Sequence, residues 1–367
     1  MSCDLNLLAN KGIRSLHPYQ PGKPISELER ELGISNIVKL ASNENPLGCS
    51  HLAIEAMQRE MNDIARYPDA NGYYLKEAIS HKLAIEMEQI TLGNGSNDVL
   101  NLIARTFAGP GSEVMFSQHA FVVYPIAAKA VEADSVVVPA KNYAHDLEAM
   151  GDAITDKTRL IFIANPNNPT GTCENTESLR AFMQRVPENV IVVMDEAYYE
   201  YVDDADYPQT INWLNEFNNM IITRTFSKAY GLAGARIGYS ISHKDIAGLL
   251  NRIREPFNVN SFAMAGATAA LKDVDFLQQA VDLNRRGMDY LTAQLDEMGF
   301  VYIPSKGNFL TVEVGNNAAS IYEKLLHQGV IVRPVANYEM PGHLRVSIGL
   351  MEENQRFISA LKKVTGR

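Results

Sequence analysis

A lysine, two hydroxyl residues and an arginine follow an apolar run in the second half of the chain. Met220-Ile221-Ile222 is predicted to form a buried strand, and Thr225, Ser227 and Lys228 come shortly after it. Arg236 follows Lys228 by eight residues, across a glycine-rich stretch. A lysine can form an imine with a carbonyl group, while hydroxyls and an arginine can bind a phosphate. Pyridoxal 5'-phosphate (PLP) is the cofactor that needs both at once, although a surface lysine beside a turn is an equal alternative for this stretch alone.

Polar and aromatic side chains also follow the other predicted strands. Short apolar runs alternate with helix-length stretches in the middle of the chain, which is typical of a mostly parallel sheet in an α/β protein. Phe121 follows the first of these runs, and Asn168 follows the third. Asp195 and Tyr198 follow the fourth. Because ligands of such sheets bind beyond the carboxyl ends of the strands, we expect these side chains to lie beside Lys228.

Each of these side chains meets a requirement of PLP chemistry. A carboxylate keeps the pyridine nitrogen protonated, phenol and amide groups hold the ring oxygen, and an aromatic ring stacks on the cofactor. Asp195 closes an apolar strand, where a buried carboxylate needs a cationic partner. We expect Tyr198, one helical turn on, to face the same side, and Arg236 to be buried in a strand where it requires an anion. Taken singly, Asp195 suits a helix cap, Asn168 a turn and Phe121 a core position.

A second predicted anion site lies nearer the N-terminus. Gly93-Asn94-Gly95 leads into a helical pattern that begins near Ser96 and Asn97. The free N–H groups and the dipole of a helix start attract anions, although an ordinary capped helix explains the same residues. The turn is not a G-x-G-x-x-G motif and lacks a phosphate-binding-loop lysine, which argues against a nicotinamide oxidoreductase.

Composition narrows the class of protein. The chain has 367 residues and a formal charge of −10, which disfavours a nucleic-acid partner. No apolar run approaches the roughly 18 residues of a membrane span, and the start does not resemble a signal peptide, so we expect a cytoplasmic protein without a membrane partner. The three cysteines and eight histidines lack the spacing of disulfide frameworks or metal sites.

The chain is predicted to have three parts. Residues 1–40 contain several prolines and are expected to form an arm that packs with the small domain. Residues 41–255 are expected to form the large cofactor-binding domain, and residues 256–367 the small α/β domain. Because arms of this kind often wrap a neighbouring chain, a second copy is an expected partner.

Three motifs together resemble the signature of the fold-type I, aspartate-aminotransferase-like PLP enzymes. They are Asn168-Pro169-Thr170-Gly171, Asp195-Glu196-Ala197-Tyr198, and Ser227-Lys228 with Arg236 eight residues later. Their order and separations fit, and the resemblance extends from about Leu40 to the C-terminus. It implies a mostly parallel central sheet flanked by helices in a large domain, with a smaller α/β domain beside it.

Within this superfamily, the chain is most similar to the histidinol-phosphate aminotransferases. Five shorter motifs carry this narrower resemblance: His17-Pro18-Tyr19, the segment from Leu40 to Gly48, Arg66-Tyr67-Pro68-Asp69, Arg333-Pro334, and Leu344-Arg345-Val346-Ser347. The implied reaction transfers the amino group of L-histidinol phosphate to 2-oxoglutarate, giving imidazole acetol phosphate and L-glutamate in histidine biosynthesis.

The resemblance also implies a role for each matched residue. Lys228 would be the Schiff-base lysine, Asp195 would pair with the pyridine nitrogen, and Tyr198 would assist them as the third catalytic residue. The residues expected to hold PLP are Ser96, Asn97, Phe121, Asn168, Asp195, Tyr198, Thr225, Ser227, Lys228 and Arg236. The residues expected to bind substrate are Tyr19, Asn43, Tyr67, Arg333 and Arg345, with Tyr67 reaching the site of the other subunit in a homodimer.

Other activities on this fold stay open. An aromatic amino acid aminotransferase would use the same catalytic residues, and a PLP-dependent decarboxylase of threonine phosphate would need the same phosphate-binding arginines. A non-catalytic regulator built on this fold would require a DNA-binding module, which the acidic composition does not support.

Overall fold

Helices and strands alternate along the chain in the computed structural model, which describes residues 3–18 and 22–367. The helices are α1 (Ile25–Leu32), α2 (His51–Glu60), α3 (Tyr73–Leu83), α4 (Ser96–Phe107), α5 (Val123–Ala130), α6 (Leu147–Asp152), α7 (Thr176–Arg185), α8 (Lys244–Ile253), α9 (Ser261–Ala270), α10 (Val274–Glu297), α11 (Ala318–His327) and α12 (Met351–Thr365). The strands are β1 (Val38–Lys39), β2 (Ile90–Gly93), β3 (Glu113–Ser117), β4 (Asp134–Val138), β5 (Thr158–Ala164), β6 (Ile191–Asp195), β7 (Met220–Thr225), β8 (Gly238–Ser242), β9 (Val301–Ile303), β10 (Phe309–Glu313), β11 (Val330–Ile331), β12 (Arg333–Pro334) and β13 (His343–Ser347).

The larger sheet has seven strands in the order β2-β8-β7-β6-β5-β3-β4. Strands β3 to β7 run parallel to one another, whereas β8 is antiparallel to both β2 and β7. The predicted α/β class with a mostly parallel central sheet is therefore confirmed. The strand that was expected to contain Arg236 is β8, which begins only at Gly238 and whose Ser240 and Ser242 are buried.

Both faces of this sheet are buried by helices. Side chains alternate along β5: Ile161 and Ile163 point to a core with α2, α3, α6, α7 and α9, whereas Leu160 and Phe162 point to a core with α4, α5 and α8. This two-residue alternation is the geometry of a strand covered on both sides. The interior of the sheet is therefore packed, and its strand ends and the loops that follow them are where a ligand can bind.

A smaller sheet lies in the C-terminal part of the chain. Its four antiparallel strands have the order β12-β13-β10-β9, and β1 pairs with β11 in a separate two-stranded parallel sheet. Leu291 and Leu295 of α10, Leu325 of α11 and Phe357 of α12 pack against Val346 of β13 in one core. Because β1 joins β11, the chain just before residue 40 packs with this C-terminal part.

Helix α9 packs differently from the predicted division after residue 255. Its Ala263, Ala267 and Ala270 belong to the core of the seven-stranded sheet, and the helix lies against α2. Small side chains allow this close helix contact. The predicted domain boundaries otherwise stay a prediction.

Over the described ranges, none of the helices combines the length and the apolar character that crossing a bilayer requires.

Candidate active site

A cavity of about 250 Å³ opens where β5, β6 and β7 end and α4 begins. All ten residues expected to hold a cofactor line it: Ser96, Asn97, Phe121, Asn168, Asp195, Tyr198, Thr225, Ser227, Lys228 and Arg236. They converge because parallel strands end at one edge of a sheet. The structure thus brings together residues that are far apart in the sequence, while their roles toward a ligand stay a prediction.

Asp195, the last residue of β6, is a buried carboxylate held by two hydroxyl groups. The Tyr124 phenol donates to Oδ2 at 2.8 Å, and the Thr223 hydroxyl donates to Oδ1 at 3.0 Å. Burial raises the pKa of Asp195, and these two hydrogen bonds act in the opposite direction. Within residues 3–18 and 22–367, no lysine, arginine or histidine forms an ion pair with it. A cationic ligand group in the cavity would complete its surroundings.

Glu196, the next residue, faces a different environment. Nε and Nη2 of Arg224 donate to its Oε2 at 2.9 and 2.8 Å, and the Thr210 hydroxyl donates to its Oε1. The Arg224 guanidinium also lies 3.6 Å from the ring centroid of Tyr199. Glu196 and Arg224 therefore form an ion pair inside the protein and do not line the cavity.

Lys228 extends into the cavity from the loop after β7. Its Nζ donates to the backbone oxygen of Ser42 at 3.3 Å and lies 5.7 Å from the ring centroid of Tyr198. Burial is the main cause that lowers the pKa of Lys228 to about 8, and the nearby Arg345 guanidinium lowers it further. A lysine with this pKa is neutral, and so nucleophilic, in much of the population near pH 8.

Tyr198 is held by a chain of hydrogen bonds. Asn43 donates from Nδ2 to the Tyr198 oxygen at 3.0 Å, and Asn43 Oδ1 accepts from the Ser347 hydroxyl at 2.9 Å. Burial raises the pKa of Tyr198 to about 12, so its phenol keeps a proton to donate to a ligand. The predicted helical turn between Asp195 and Tyr198 is wrong: Tyr198 has φ −116° and precedes a short 3-10 helix, Tyr199–Tyr201.

The start of α4 and Arg236 form the other end of the cavity. Gly95 has φ +84°, and a Cβ atom at this position would lie 2.2 Å from Nη2 of Arg236. Arg236 Nη1 donates to the Ala233 oxygen at 3.0 Å and to the Ser227 hydroxyl at 3.4 Å. Helix N–H groups, hydroxyls and a guanidinium are the donors that bind a phosphate.

The expectation that Arg236 is buried within a strand is wrong. Arg236 is exposed and has φ +60°, in the loop just before β8. The glycine-rich segment from Gly231 to Gly234 lengthens this loop, so the strand begins only at Gly238. Arg236 reaches the cavity from the surface.

The donor set fits PLP at every group of that cofactor. The walls of the cavity carry phosphate donors, an amine with a lowered pKa, and a carboxylate without a cationic partner among the described residues. Phe121 lines the cavity and contacts Tyr124 edge-on, with ring centroids 5.9 Å apart. The residues present therefore meet the chemical demands of the cofactor that the sequence predicted.

Two of the residues predicted to bind substrate lie side by side on the small sheet. Arg333 of β12 and Arg345 of β13 are register partners, and both are buried. Arg345 Nη1 donates to Asn168 Oδ1 at 2.5 Å, and its Nη2 donates to the Ala41 oxygen at 2.8 Å. Because Asn168 lines the cavity, this contact places the Arg345 guanidinium next to it. Tyr19 lies outside the described residues.

Tyr67 does not line the cavity that contains Lys228 of its own chain. It is 81% exposed and stacks on Phe257, with ring centroids 4.6 Å apart. It lines a separate, larger cavity of about 570 Å³ between α2, α3 and α9. The structure therefore does not bring Tyr67 together with the other predicted substrate residues within one chain.

Sequence reasoning did not single out the two hydroxyl donors to Asp195. Thr223 precedes Thr225 by two residues on β7, so strand alternation places both on one face and could have indicated it. Tyr124 follows Phe121 by three residues at the start of α5, a spacing that could have paired them. Ser42 and Glu44, which also line the cavity, come from the segment predicted to be functional.

Comparison with known proteins agrees with this geometry. Residues 35–361 match the family Aminotransferase class I and II. Histidinol-phosphate aminotransferase 1 of Idiomarina loihiensis is 57% identical, over 98% of each chain, and histidinol-phosphate aminotransferase 2 of Pseudomonas fluorescens is 54% identical over the full length of both. A crystal structure of histidinol-phosphate aminotransferase from Sinorhizobium meliloti in complex with pyridoxal-5'-phosphate superposes with a TM-score of 0.89, at 29% identity and 97% coverage of each chain. The chain belongs to the class I and II aminotransferases and, within them, to the histidinol-phosphate aminotransferase family.

Proposed function

We propose that this protein is a PLP-dependent transaminase that transfers the amino group of L-histidinol phosphate to 2-oxoglutarate. The observation that carries the proposal is the cavity in which Lys228, with a pKa of about 8, lies with the buried carboxylate of Asp195. The names of its relatives support the choice of substrate. The reaction belongs to histidine biosynthesis, and we place it in the cytoplasm together with the other small-molecule steps of that pathway.

Lys228 is the proposed catalytic base. When bound, PLP supplies an electron-accepting ring that stabilises a carbanion next to the reacting nitrogen. Lys228 Nζ would hold the cofactor and, as a free amine beside the bound substrate, would accept the proton from the substrate Cα and give it up again. A pKa of about 8 suits a group that must both accept and donate a proton near neutral pH.

Asp195, Tyr198 and Asn168 are the proposed partners of the pyridine ring. Asp195 holds a proton on the ring nitrogen, since its buried carboxylate is stabilised by a positive charge opposite it. Tyr198 and Asn168 hold the ring oxygen, and Phe121 covers one ring face. The hydrogen bond from the Asn43 amide occupies an acceptor position on the Tyr198 oxygen, so the O–H bond of Tyr198 can still donate to a ligand.

The remaining residues are proposed to bind anionic groups. Ser96, Asn97, Thr225, Ser227 and Arg236 hold the cofactor phosphate. Arg333 and Arg345, together with Tyr19, hold the anionic end of the substrate, and Asn43 is a further proposed substrate-binding residue. Planar guanidinium groups bind both phosphate and carboxylate, so one pair of arginines can accept histidinol phosphate and then 2-oxoglutarate.

We further propose that the protein acts as a homodimer in which Tyr67 completes the site of the other subunit. The support is that Tyr67 is exposed and does not line the cavity of Lys228, but lines the larger cavity between α2, α3 and α9, which a second copy can fill. Exposed aromatic residues beside a groove are typical of interfaces between protein chains.

The function is tested by comparing three amine substrates with the PLP-loaded protein. L-histidinol phosphate, phenylalanine and threonine phosphate are each supplied with 2-oxoglutarate, and glutamate and carbon dioxide are measured. We expect the highest kcat/KM for glutamate formation with histidinol phosphate. A higher value with phenylalanine would make the protein an aromatic aminotransferase, and carbon dioxide from threonine phosphate without glutamate would make it a decarboxylase.

A further inference from the structure

Tyr124 lies behind the cavity and contacts two residues that line it. Its phenol donates to Asp195 Oδ2 at 2.8 Å, and its ring meets the edge of Phe121 with centroids 5.9 Å apart. Tyr124 itself is fully buried and does not line the cavity. It therefore cannot touch a ligand there, yet it is in contact with both the carboxylate and the aromatic ring expected on a ligand.

The ring of Tyr124 has a fixed position in the core. It stacks on Phe162 of β5 with centroids 4.5 Å apart and an angle of 2° between the planes, and Phe116 of β3 lies 6.4 Å away. These aromatic contacts belong to the rigid core on one face of the seven-stranded sheet. Because the ring cannot turn freely, the direction of the phenol O–H bond toward Asp195 is set by packing.

The hydrogen bonds to Asp195 favour its charged form. Burial raises the pKa of Tyr124 well above its usual value, so this phenol keeps its proton and acts as a donor. Thr223 donates to the other carboxylate oxygen at 3.0 Å, so the two donors together define the plane of the carboxylate. Burial alone would favour the neutral acid, and the two donors oppose this effect.

We infer that Tyr124 is a positioning residue for the cofactor ring: it aims the Asp195 carboxylate at the ring nitrogen and supports Phe121, which covers the ring face. This inference rests on the proposed use of PLP. It assigns Tyr124 no contact with substrate or cofactor, so its whole effect passes through Asp195 and Phe121.

The test uses a cofactor analogue in which a carbon atom replaces the ring nitrogen of PLP. The dissociation constants of PLP and of this analogue are measured for two cofactor-free proteins, the wild type and the Tyr124→Phe variant. The substitution removes only the hydroxyl and leaves the stack on Phe162 in place. We expect PLP to bind about tenfold more weakly to the variant, as for the loss of a hydrogen bond to a charged group. The analogue should bind within about twofold of its original affinity, because it offers Asp195 no nitrogen.

Two further variants separate positioning from general packing. Tyr207→Phe also removes a buried phenol hydroxyl, which donates to the backbone oxygen of Asn165 at 2.7 Å and not to Asp195. It should leave the ratio of the two dissociation constants unchanged. Thr223→Val removes the donor to the other oxygen of Asp195 and should lower the preference for PLP in the same direction as Tyr124→Phe. Circular dichroism verifies that each variant is folded.

The possible outcomes separate the proposed use of PLP from the inference about Tyr124. If the wild-type protein binds neither compound, the proposed cofactor is wrong and the inference fails with it. If the wild-type protein prefers PLP and Tyr124→Phe keeps that preference, the proposed function stands and the inference about Tyr124 is overturned. An equal loss of affinity for PLP and for the analogue also overturns it, because the hydroxyl would then act on packing and not through the ring nitrogen.

Discussion

Two neighbouring carboxylates at the end of β6 have opposite surroundings. Asp195 and Glu196 are both buried, at 4% and 1% exposure. Glu196 is paired with Arg224 inside the protein, whereas Asp195 lines the cavity and receives hydrogen bonds from the hydroxyl groups of Tyr124 and Thr223 and from the backbone of Ala197. Successive residues of a strand point to opposite sides, so one strand end can supply a structural ion pair and a ligand-binding carboxylate.

The difference lies in what compensates the buried charge. A carboxylate removed from water is destabilising unless a cation or strong hydrogen bonds compensate it. For Glu196 the compensation is permanent and belongs to the folded protein. For Asp195 it is incomplete, since burial still raises its pKa, and a protonated ring nitrogen would complete it. Glu196 should therefore matter mainly for stability and Asp195 mainly for cofactor chemistry.

Removing the cation that is paired with Glu196 should have the largest effect. Arg224→Met leaves Glu196 buried without its cation, and we expect the free energy of unfolding to fall by about 3–5 kcal/mol, measured by urea denaturation. The double variant Arg224→Met/Glu196→Gln removes both charges and should recover most of the loss. A decrease below about 1 kcal/mol in the single variant would show that the pair is not what stabilises this strand end.

Removing the negative charge of Asp195 should affect catalysis and not folding. We expect Asp195→Asn to lower kcat with histidinol phosphate by about 10²–10³-fold, as for loss of one preorganised electrostatic group. The unfolding free energy of the cofactor-free variant should be unchanged or slightly higher, because the neutral amide avoids the cost of a buried charge. The comparison fails if the variant keeps kcat within about tenfold of the original or loses stability as Arg224→Met does.

A third variant extends the comparison to the phosphate end of the cavity. Gly95→Ala places a Cβ atom 2.2 Å from Arg236 Nη2 at a residue with φ +84°. The added atom should displace the Arg236 guanidinium, and we expect a roughly tenfold or greater loss of PLP affinity, measured by titration of the cofactor-free protein. Gly111→Ala is the matched control, since Gly111 has φ +82° and nothing within 4 Å of the added atom. It should lower stability without changing PLP affinity.

The smallest expected effect concerns the pH dependence of Lys228. Lys228 reacts as the neutral amine, so the rate at which the cofactor-free protein captures PLP should rise with pH, with a midpoint near 8 instead of 10.5. Asp195 is one of the groups that raise this pKa, so Asp195→Asn should move the midpoint to lower pH. Glu196→Gln should leave it in place. A midpoint near 10 in the original protein would contradict the account of Lys228.

The sequence allowed much of the cavity to be predicted because strand ends converge. Asn168, Asp195 and Lys228 each follow a strongly apolar run, and parallel strands of this kind end at one edge. The family resemblance, which is confirmed, then implied a role for each residue. Local patterns were enough here because each side chain follows its strand directly.

Features that depend on contacts between distant segments were not predictable in this way. The hydrogen bond from Tyr124 to Asp195 joins residues 71 positions apart, and nothing near Tyr124 in the sequence indicates that partner. Arg236 was misplaced because a glycine-rich loop can end at several positions before the next strand begins. The packing of α9 on α2 likewise depends on how the chain returns to the large sheet.

One single-turnover experiment shows whether Lys228 carries the proposed amino transfer. The PLP-loaded protein is mixed with L-histidinol phosphate without a 2-oxo acid, and the visible absorbance of the bound cofactor is followed in the original protein and in Lys228→Ala. The account predicts loss of one equivalent of this absorbance in the original protein, its return on adding 2-oxoglutarate, and no repeated cycle in Lys228→Ala. Repeated turnover by Lys228→Ala, or no absorbance change in the original protein, would contradict it.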